Sequence, residues 1–244
     1  MSQVLVIIPA RYDSSRFPGK PLAIINGKSM IQRVYEQAQK ASLVNEVIVA
    51  TDDQRIFDHV RSFGGKVEMT DKNHKSGTDR CAEVSQRHFQ ASVIVNVQGD
   101  EPYIHPEDID KVIEPLLKPN GVDISTLATP ILQTKDIDNP NVVKVVFTPS
   151  KQALYFSRSP LPYLRNIASD RRLNHHTFHK HLGIYGFRQT ALFVLTSLPQ
   201  SPLEKAESLE QLRWLEAGYK IHVEVTENDS IGVDTPEDLE RLTV

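Results

Sequence analysis

The chain has 244 residues, of which 39% are hydrophobic and 24% are charged, and its formal net charge at pH 7 is -3. A chain of this length buries about three quarters of its unfolded surface, so the composition predicts one large domain with a substantial core. The small net charge gives no electrostatic basis for binding nucleic acid or an anionic membrane.

Cysteine content and hydropathy indicate the compartment. Cys81 is the only cysteine, which excludes an intramolecular disulfide and a multi-cysteine metal site and fits a reducing environment. The apolar run at residues 4–8 is far shorter than the roughly 20 residues that span a bilayer, and no later run is longer. It also lacks the basic lead of a signal peptide. We therefore expect a cytoplasmic protein.

The first predicted strand leads into a basic loop. Five successive aliphatic residues at 4–8 predict a strand buried on both faces, as in a parallel sheet, and Pro9 is expected to end it. The loop at 9–22 is rich in cations and hydroxyls, which makes it a candidate polyphosphate loop. It is no Walker loop, because Pro21 follows Lys20, and no GxGxxG follows a strand. A solvated surface loop is the alternative.

Strands and helices alternate over the next residues. A helix is predicted at 29–41 with Ser29 as its cap, followed by a strand at 47–50, a second helix that two glycines close at 64–65, and a strand at 66–69. This alternation is typical of right-handed βαβ units with a parallel sheet.

The polar stretch 70–80 leads into a further helix. Ser76 and Thr78 stand where caps are expected, and Gly77 permits close approach of another molecule to the backbone. A base or a phosphate could dock at such a helix terminus. Plain helix capping explains the same residues, and on these residues alone it is the favoured interpretation.

Two acids stand out as metal ligands. The predicted strand 93–97 runs directly into Asp100, at the strand end where open α/β sheets bind ligands and hard cations find oxygen donors. Asp234 lies just before the last helix, which Thr235 caps and Pro236 begins. The alternatives are a turn acid at Asp100 and, at Asp234, an acid that the helix dipole stabilises by about 0.3 to 1 kcal/mol.

The pattern changes from Asp123 onward. A strand at 124–131 and a hairpin at 142–156 predict an antiparallel insertion at about 123–187, which is expected to cover the sheet's open end or to pair with a second copy. Arg158 follows an apolar run and suits a carboxylate, although an exposed Arg is the default. The histidines between 175 and 181 fit no zinc spacing.

Several stretches of the chain form a recognisable combination: PARYDSSRFPGKPL (9–22), SGTDR (76–80), NVQGDEP (96–102), YFSR (155–158), HLGIYGFR (181–188), LEQLR (209–213) and GVDTPEDLE (232–240). Together they resemble one known family, the 3-deoxy-manno-octulosonate cytidylyltransferases or CMP-Kdo synthetases. The resemblance covers nearly the whole chain. It implies a Rossmann-like nucleotide-diphospho-sugar transferase fold: a single α/β domain over 1–244, with a mostly parallel sheet, helices on both faces and an antiparallel insertion serving as lid and dimerisation region.

The resemblance also implies a reaction and a set of site residues. CTP and the eight-carbon acid sugar Kdo would give CMP-Kdo and pyrophosphate for lipopolysaccharide synthesis, in a cytoplasmic homodimer that uses Mg²⁺. The implied nucleotide-binding residues are Pro9, Ala10, Arg11, Lys20, Ser76, Gly77, Arg80, Gln98 and Asp100. The implied sugar-binding residues are Arg16, Gln98, Arg158, His181, Tyr185, Glu210 and Gln211. Asp100 and Asp234 match the magnesium ligands, and with Arg11 and Lys20 they form the implied catalytic set.

Two other functions stay open at the level of sequence. One is a related CMP-sugar synthetase, such as one acting on sialic acid. The other is a non-catalytic nucleotide-sensing module, against which the intact Asp100, Asp234 and Lys20 argue.

Overall fold

Alternating strands and helices build the molecule, which is described here from a computed structural model covering residues 3–13, 17–119, 121–229, 232–233 and 235–242. The strands are β1 (Gln3–Ala10), β2 (Ile24–Ile25), β3 (Lys28–Ser29), β4 (Glu46–Thr51), β5 (Val67–Met69), β6 (Ala91–Asn96), β7 (Ile124–Pro130), β8 (Lys144–Phe147), β9 (Ala153–Ser157), β10 (His179–Arg188) and β11 (Ile221–Val225). The α-helices are α1 (Met30–Ala38), α2 (Gln54–Ser62), α3 (Gly77–Arg87), α4 (Pro106–Leu117), α5 (Thr134–Asp138), α6 (Gln189–Ser197), α7 (Pro202–Glu207), α8 (Gln211–Glu216) and α9 (Pro236–Leu242).

The main sheet is mostly parallel and has the order β11-β7-β10-β6-β1-β4-β5. β1 pairs in parallel with β4 on one side and with β6 on the other, and β11 pairs in parallel with β7. β10 runs antiparallel to both of its neighbours, β6 and β7. This mixed sheet, flanked by helices, confirms the predicted α/β class.

The sheet is buried on both faces, because successive side chains of a strand point to opposite sides. Val4, Val6 and Ile8 of β1 pack into the layer formed with α1, α2 and α4. Leu5 and Ile7 pack into the opposite layer, formed with α3, α6 and α8. All five side chains are at most 1% exposed, which confirms the predicted doubly buried strand.

The first crossover helix follows the sequence prediction. The Ser29 hydroxyl caps α1 by accepting a hydrogen bond from the backbone N–H of Gln32 at 3.2 Å. After α1 the chain returns through β4 on one side of β1, and it later reaches the other side through β6. The crevice beyond the carboxyl ends of β1 and β6 is therefore the topological switch point, where open α/β sheets bind ligands.

The structure corrects two details of the sequence prediction. Pro9 does not end β1, which continues to Ala10 with Pro9 opposite Ala50. Proline has no backbone N–H, but Pro9 loses no ladder hydrogen bond to β6, because the pairing of β1 with β6 ends at Ile7–Asn96.

The boundaries of the antiparallel insertion are also different from the predicted 123–187. β7 and β10 belong to the main sheet, whereas β8 and β9 lie off its path as a hairpin against β10. The strand pattern of 124–130 could not reveal this, because a strand's direction depends on partners distant in sequence.

Candidate active site

A cavity of about 430 Å³ lies at the switch point. Its lining residues are Pro9, Ala10, Arg11, Asp13, Lys20, Pro21, Lys75, Ser76, Gly77, Gln98, Gly99 and Asp100. The structure thus brings together the first loop, the start of α3 and the turn after β6, which are far apart in sequence. Asp13 and Lys75 were not predicted, although Lys75 directly precedes Ser76 in a stretch that the sequence had singled out.

The start of α3 is held close to the end of β1. Ser76 and Asp79 form a capping box, in which the Ser76 hydroxyl accepts from the Asp79 N–H and the Asp79 carboxylate accepts from the Ser76 N–H, both at 3.1 Å. A Cβ on Gly77 would lie 3.0 Å from Cγ of Pro9, so glycine permits this close packing. The positive end of the α3 dipole therefore borders the cavity, as anion binding requires.

Gly99 lets the turn after β6 approach β1 in the same way. A Cβ there would lie 2.9 Å from the Pro9 carbonyl oxygen, closer than real Cβ contacts allow. A larger residue would push the turn, and with it Asp100, away from the loop that carries Lys20.

Lys20 and Asp100 form an ion pair at the edge of the cavity. The Lys20 ammonium donates to Oδ2 of Asp100 at 2.6 Å and to the Val233 carbonyl at 3.0 Å. The Val233 N–H in turn donates to the Asp100 carbonyl at 3.0 Å. The segment that precedes Asp234 thus meets the turn after β6. Asp234 itself lies outside the described residues, as does Arg16.

The oxygen atoms around the Lys20 ammonium are suitable ligands for a hard cation. The Asp100 carboxylate and the Val233 carbonyl converge on the ammonium, and oxygen is the donor type that Mg²⁺ prefers. Among the residues that the structure describes, no cluster of three His, Cys, Asp or Glu side chains could hold a metal. Asp234, the second predicted ligand, follows Val233 directly in the sequence.

The segment after β11 is anchored to α4 by a buried acid. Asp108, 2% exposed, accepts from the Thr226 hydroxyl at 2.6 Å and from the Asn228 side-chain amide at 3.1 Å. Only the amphipathic pattern of α4 could be recognised from the sequence, and in that pattern Asp108 looks like an ordinary first-turn acid.

A second cavity, of about 380 Å³, adjoins the first. Its lining residues are Asp100, Glu101, Asn141, Val142, Val143, Lys180, His181, Leu182, Gly183 and Gly232. Asp100 lines both cavities, and its side chain is 31% exposed. A molecule bound in each cavity would meet the other at this carboxylate.

Lys144 fixes one wall of the second cavity. Its buried ammonium donates to the backbone carbonyls of Asn139 at 2.9 Å, of Val142 at 2.6 Å and of Arg158 at 2.6 Å. Burial lowers the pKa of this ammonium below its ordinary value. A lysine inside the aliphatic run VVKVVF was the signal that could have identified it.

His181 is the predicted sugar-binding residue that lines the second cavity. Burial lowers the pKa of its imidazole to about 3, so the ring is neutral at physiological pH. Its ring contacts the rings of Phe156 and Tyr185 at centroid distances of 5.0 and 5.2 Å.

Tyr185 and Gln211 are buried, being 8% and 5% exposed. The Tyr185 ring packs edge-on against Trp214 at 5.1 Å, and burial raises the pKa of its hydroxyl. Within the described part of the chain, this hydroxyl has no hydrogen-bond partner. Neither residue lines the first or the second cavity, and their predicted contact with the sugar stays a prediction.

Glu210 braces α3 rather than lining either cavity. Its carboxylate accepts from the Thr78 hydroxyl at 2.6 Å and from the Arg213 guanidinium at 2.8 Å. Burial raises the pKa of this carboxyl despite those donors. The predicted sugar-binding residue therefore joins α8 to the first turn of the helix that borders the first cavity.

Arg80 is also directed away from the first cavity. It is fully buried, one turn into α3, where its guanidinium lies 3.1 Å from Oδ2 of Asp52 and also donates to the Thr70 hydroxyl. Because α3 begins at Gly77, Arg80 is its fourth residue and points inward under the helix, and its predicted contact with the nucleotide stays a prediction.

The Arg158 guanidinium donates hydrogen bonds to backbone carbonyls. Its Nε donates to the Glu207 carbonyl at 2.7 Å and its Nη1 to the Pro140 carbonyl at 2.9 Å. It does not line either cavity. Arg158 thus ties the end of β9 to α7 and to the segment that precedes Asn141, and its predicted contact with a carboxylate stays a prediction.

Comparison with known proteins places this geometry in a family. A family model described as cytidylyltransferase matches residues 5–221. The chain is 52% identical to a 3-deoxy-manno-octulosonate cytidylyltransferase of Parabacteroides distasonis, over 99% of this chain and 97% of the relative. It is 51% identical to a relative of the same name in Geobacter metallireducens, over 98% and 96%.

Solved structures agree with the sequence comparison. The fold matches that of CMP:2-keto-3-deoxy-manno-octonic acid synthetase complexed with CTP, with a TM-score of 0.92 and 44% identity over 99% of this chain and 97% of that one. A 4-diphosphocytidyl-2C-methyl-D-erythritol synthase from Anaerococcus prevotii, at 13% identity and a TM-score of 0.65, shares the fold. Within the described residues, none of the helices is long and apolar enough to cross a membrane. The chain belongs to the cytidylyltransferase family and, within it, to the 3-deoxy-manno-octulosonate cytidylyltransferases.

Proposed function

We propose that this protein transfers CMP from CTP to Kdo, releasing pyrophosphate. The observation that carries the proposal is the pair of adjoining cavities that share Asp100, one basic and bordered by a helix N-terminus, the other lined by the neutral His181. The first suits a nucleoside triphosphate and the second a sugar acid. The relatives at about half identity carry the same activity in their names.

The chemistry is an in-line displacement at the α-phosphorus of CTP. The anomeric hydroxyl oxygen of Kdo forms a bond to phosphorus as the bond to the bridging oxygen of the β-phosphate breaks. Pyrophosphate leaves with that electron pair, and the hydroxyl proton passes to solvent. Positioning and electrostatic stabilisation supply most of the catalysis in such phosphoryl transfers.

The chain's own residues provide positive charge on the triphosphate side. Arg11 lies at the first cavity and donates from its guanidinium to the carbonyl of His74, in the loop that leads into α3. Lys20 and the N-terminus of α3 border the same cavity. They would stabilise the charge that develops on the departing pyrophosphate.

Asp100 and Asp234 would hold Mg²⁺ between the two substrates. When bound, the ion would neutralise phosphate charge and increase the acidity of the attacking hydroxyl. The cluster of oxygen donors around the Lys20 ammonium supports this proposal. To engage the ion, Asp100 would have to exchange its ammonium partner for it.

We also propose a cytoplasmic homodimer whose product serves lipopolysaccharide synthesis. Support for the dimer comes from three large apolar side chains of the predicted insertion that are exposed, namely Leu132, Leu154 and Tyr163 at 83%, 60% and 85%. Association sites bury apolar side chains of this kind where they form a contiguous patch. Light scattering at micromolar concentration measures the molar mass in solution, and a value equal to that of a single chain would exclude the dimer.

Pyrophosphate release with different sugars tests the proposed activity. With CTP and Mg²⁺, Kdo should support turnover, and mass analysis should find CMP-Kdo. Sialic acid in place of Kdo should give little or none. Comparable turnover with sialic acid would favour the related CMP-sugar synthetase, and CTP binding without turnover on any sugar acid would favour a nucleotide-sensing module.

Arg158→Ala should weaken use of Kdo far more than use of CTP. Removing the guanidinium frees the Pro140 and Glu207 carbonyls and loosens the wall of the second cavity. We expect KM for Kdo to rise about tenfold, because one or two hydrogen bonds are lost. KM for CTP should stay within about twofold of its normal value. Arg87→Ala, at the exposed end of α3, is the control. An effect confined to CTP would count against this role.

A further inference from the structure

Thr126 lies at an irregularity in the pairing of β7 with β10. β10 pairs in register from His179 to Leu182, opposite Pro130 to Leu127, and pairing resumes at Tyr185 opposite Thr126. Gly183 and Ile184 are therefore extra residues on β10, and the strand bulges there. Thr126 is fully buried, with its hydroxyl at the bulge.

The Thr126 hydroxyl has three polar neighbours, all on β10. Its Oγ1 lies 2.7 Å from the Ile184 carbonyl, 3.3 Å from the Leu182 carbonyl and 2.9 Å from Nε2 of His181. A hydroxyl has a single proton to donate, and a carbonyl oxygen can only accept. At 2.7 Å the Ile184 carbonyl must receive that proton, because a hydroxyl lone pair directed at it would be repulsive.

The remaining contact fixes the state of the imidazole. With the Thr126 proton on the Ile184 carbonyl, the hydroxyl presents a lone pair to His181, so Nε2 must carry a hydrogen and donate it. A neutral imidazole protonated at Nε2 has a bare lone pair on Nδ1. Within the described residues, no protein donor is recorded at Nδ1, and His181 lines the second cavity.

We propose that Thr126 is a positioning residue that holds His181 in the Nε2–H tautomer, so that Nδ1 accepts a hydrogen bond from a hydroxyl group of the bound sugar acid. His181 then recognises a hydroxyl and does not serve as a cation for the carboxylate. The burial that keeps the ring neutral agrees with this role. The identity of the ligand rests on the proposed function, whereas the tautomer does not.

The tautomer is measurable in the free protein. With ¹⁵N-labelled histidine, long-range proton–nitrogen correlation should show His181 with Nε2 protonated and Nδ1 unprotonated, unchanged between pH 6 and 8. Thr126→Val removes the hydroxyl and should give a tautomer mixture, and Thr126→Ser should restore the single state. An Nδ1–H tautomer or an imidazolium in the unsubstituted protein would overturn the proposal, whatever the activity.

Two amide substitutions test which ring nitrogen meets the sugar. The side-chain amide of Asn reaches the position of Nδ1, and that of Gln reaches the position of Nε2. His181→Asn should keep KM for Kdo within about threefold, whereas His181→Gln should raise it about tenfold, as expected for a lost hydrogen bond. KM for CTP should not change in either.

The outcomes separate this inference from the proposed function. A Gln variant that uses Kdo as well as the Asn variant would overturn the role of Nδ1. Absence of turnover with Kdo in the unsubstituted protein would instead contradict the proposed function, and the nitrogen spectrum would still decide the tautomer.

Discussion

Asp100→Asn should lower kcat by at least about 10³-fold, or about 4 kcal/mol of transition-state stabilisation, while the protein stays folded. The substitution keeps the shape of the side chain and removes its charge. Asp100 lines both cavities, so it is the described carboxylate placed to act between the two substrates. Without that charge the cation at the junction would lose its anchor.

The loss is measured as kcat at saturating CTP, Kdo and Mg²⁺, with thermal unfolding as the check on folding. Asp58→Asn, on the exposed face of α2, is the matched control and should leave kcat unchanged. Asp234→Asn should be as severe as Asp100→Asn. If both acids hold one ion, the double variant should be little worse than either alone. A folded Asp100→Asn enzyme with more than a tenth of normal kcat would refute the role.

Lys20→Met should have two effects of opposite sign. We expect kcat to fall about 10²- to 10³-fold, the usual cost of removing one donor that stabilises transition-state charge. Binding of Mn²⁺ to the protein without CTP should instead tighten. The Lys20 ammonium lies 2.6 Å from Asp100, so it competes with a divalent ion for the same carboxylate.

Steady-state kinetics gives kcat, and a Mn²⁺ titration monitored by electron paramagnetic resonance gives the affinity for the ion, so the two effects are measured separately. Lys28→Met removes an exposed ammonium paired with Glu36 and should change neither quantity. If Lys20→Met lowered kcat without tightening Mn²⁺ binding, the ammonium would not be a competitor for the cation site. Unchanged kcat would remove Lys20 from the catalytic set.

Much of the first half of the fold could be predicted because its signals are local. The aliphatic run of β1, the Ser29 cap of α1 and the capping residue of α3 each reflect chemistry within a few residues. The place of the first cavity could be predicted for a different reason. Parallel strands end at a common edge of the sheet, so the loop after β1 and the turn after β6 were expected to lie close together.

What could not be predicted depends on contacts distant in sequence. The reversed direction of β10 is set by β6 and β7, and the inward position of Arg80 is set by Asp52 and Thr70. Glu210 carries no local sign that it will meet Thr78, 132 positions earlier in the chain. Lys144 interrupts an aliphatic run, and its three carbonyl partners follow from the folding of the segments around β8 and β9, not from the strand pattern.

If the nucleotide and the sugar acid meet at a cation held by Asp100, a crystal structure with CTP and Mn²⁺ should reveal that cation by anomalous scattering. We expect an anomalous peak bonded to the Asp100 carboxylate, with the triphosphate in the first cavity and the Lys20 ammonium moved from Asp100 to phosphate oxygens. A peak away from Asp100, or a triphosphate outside that cavity, would contradict it.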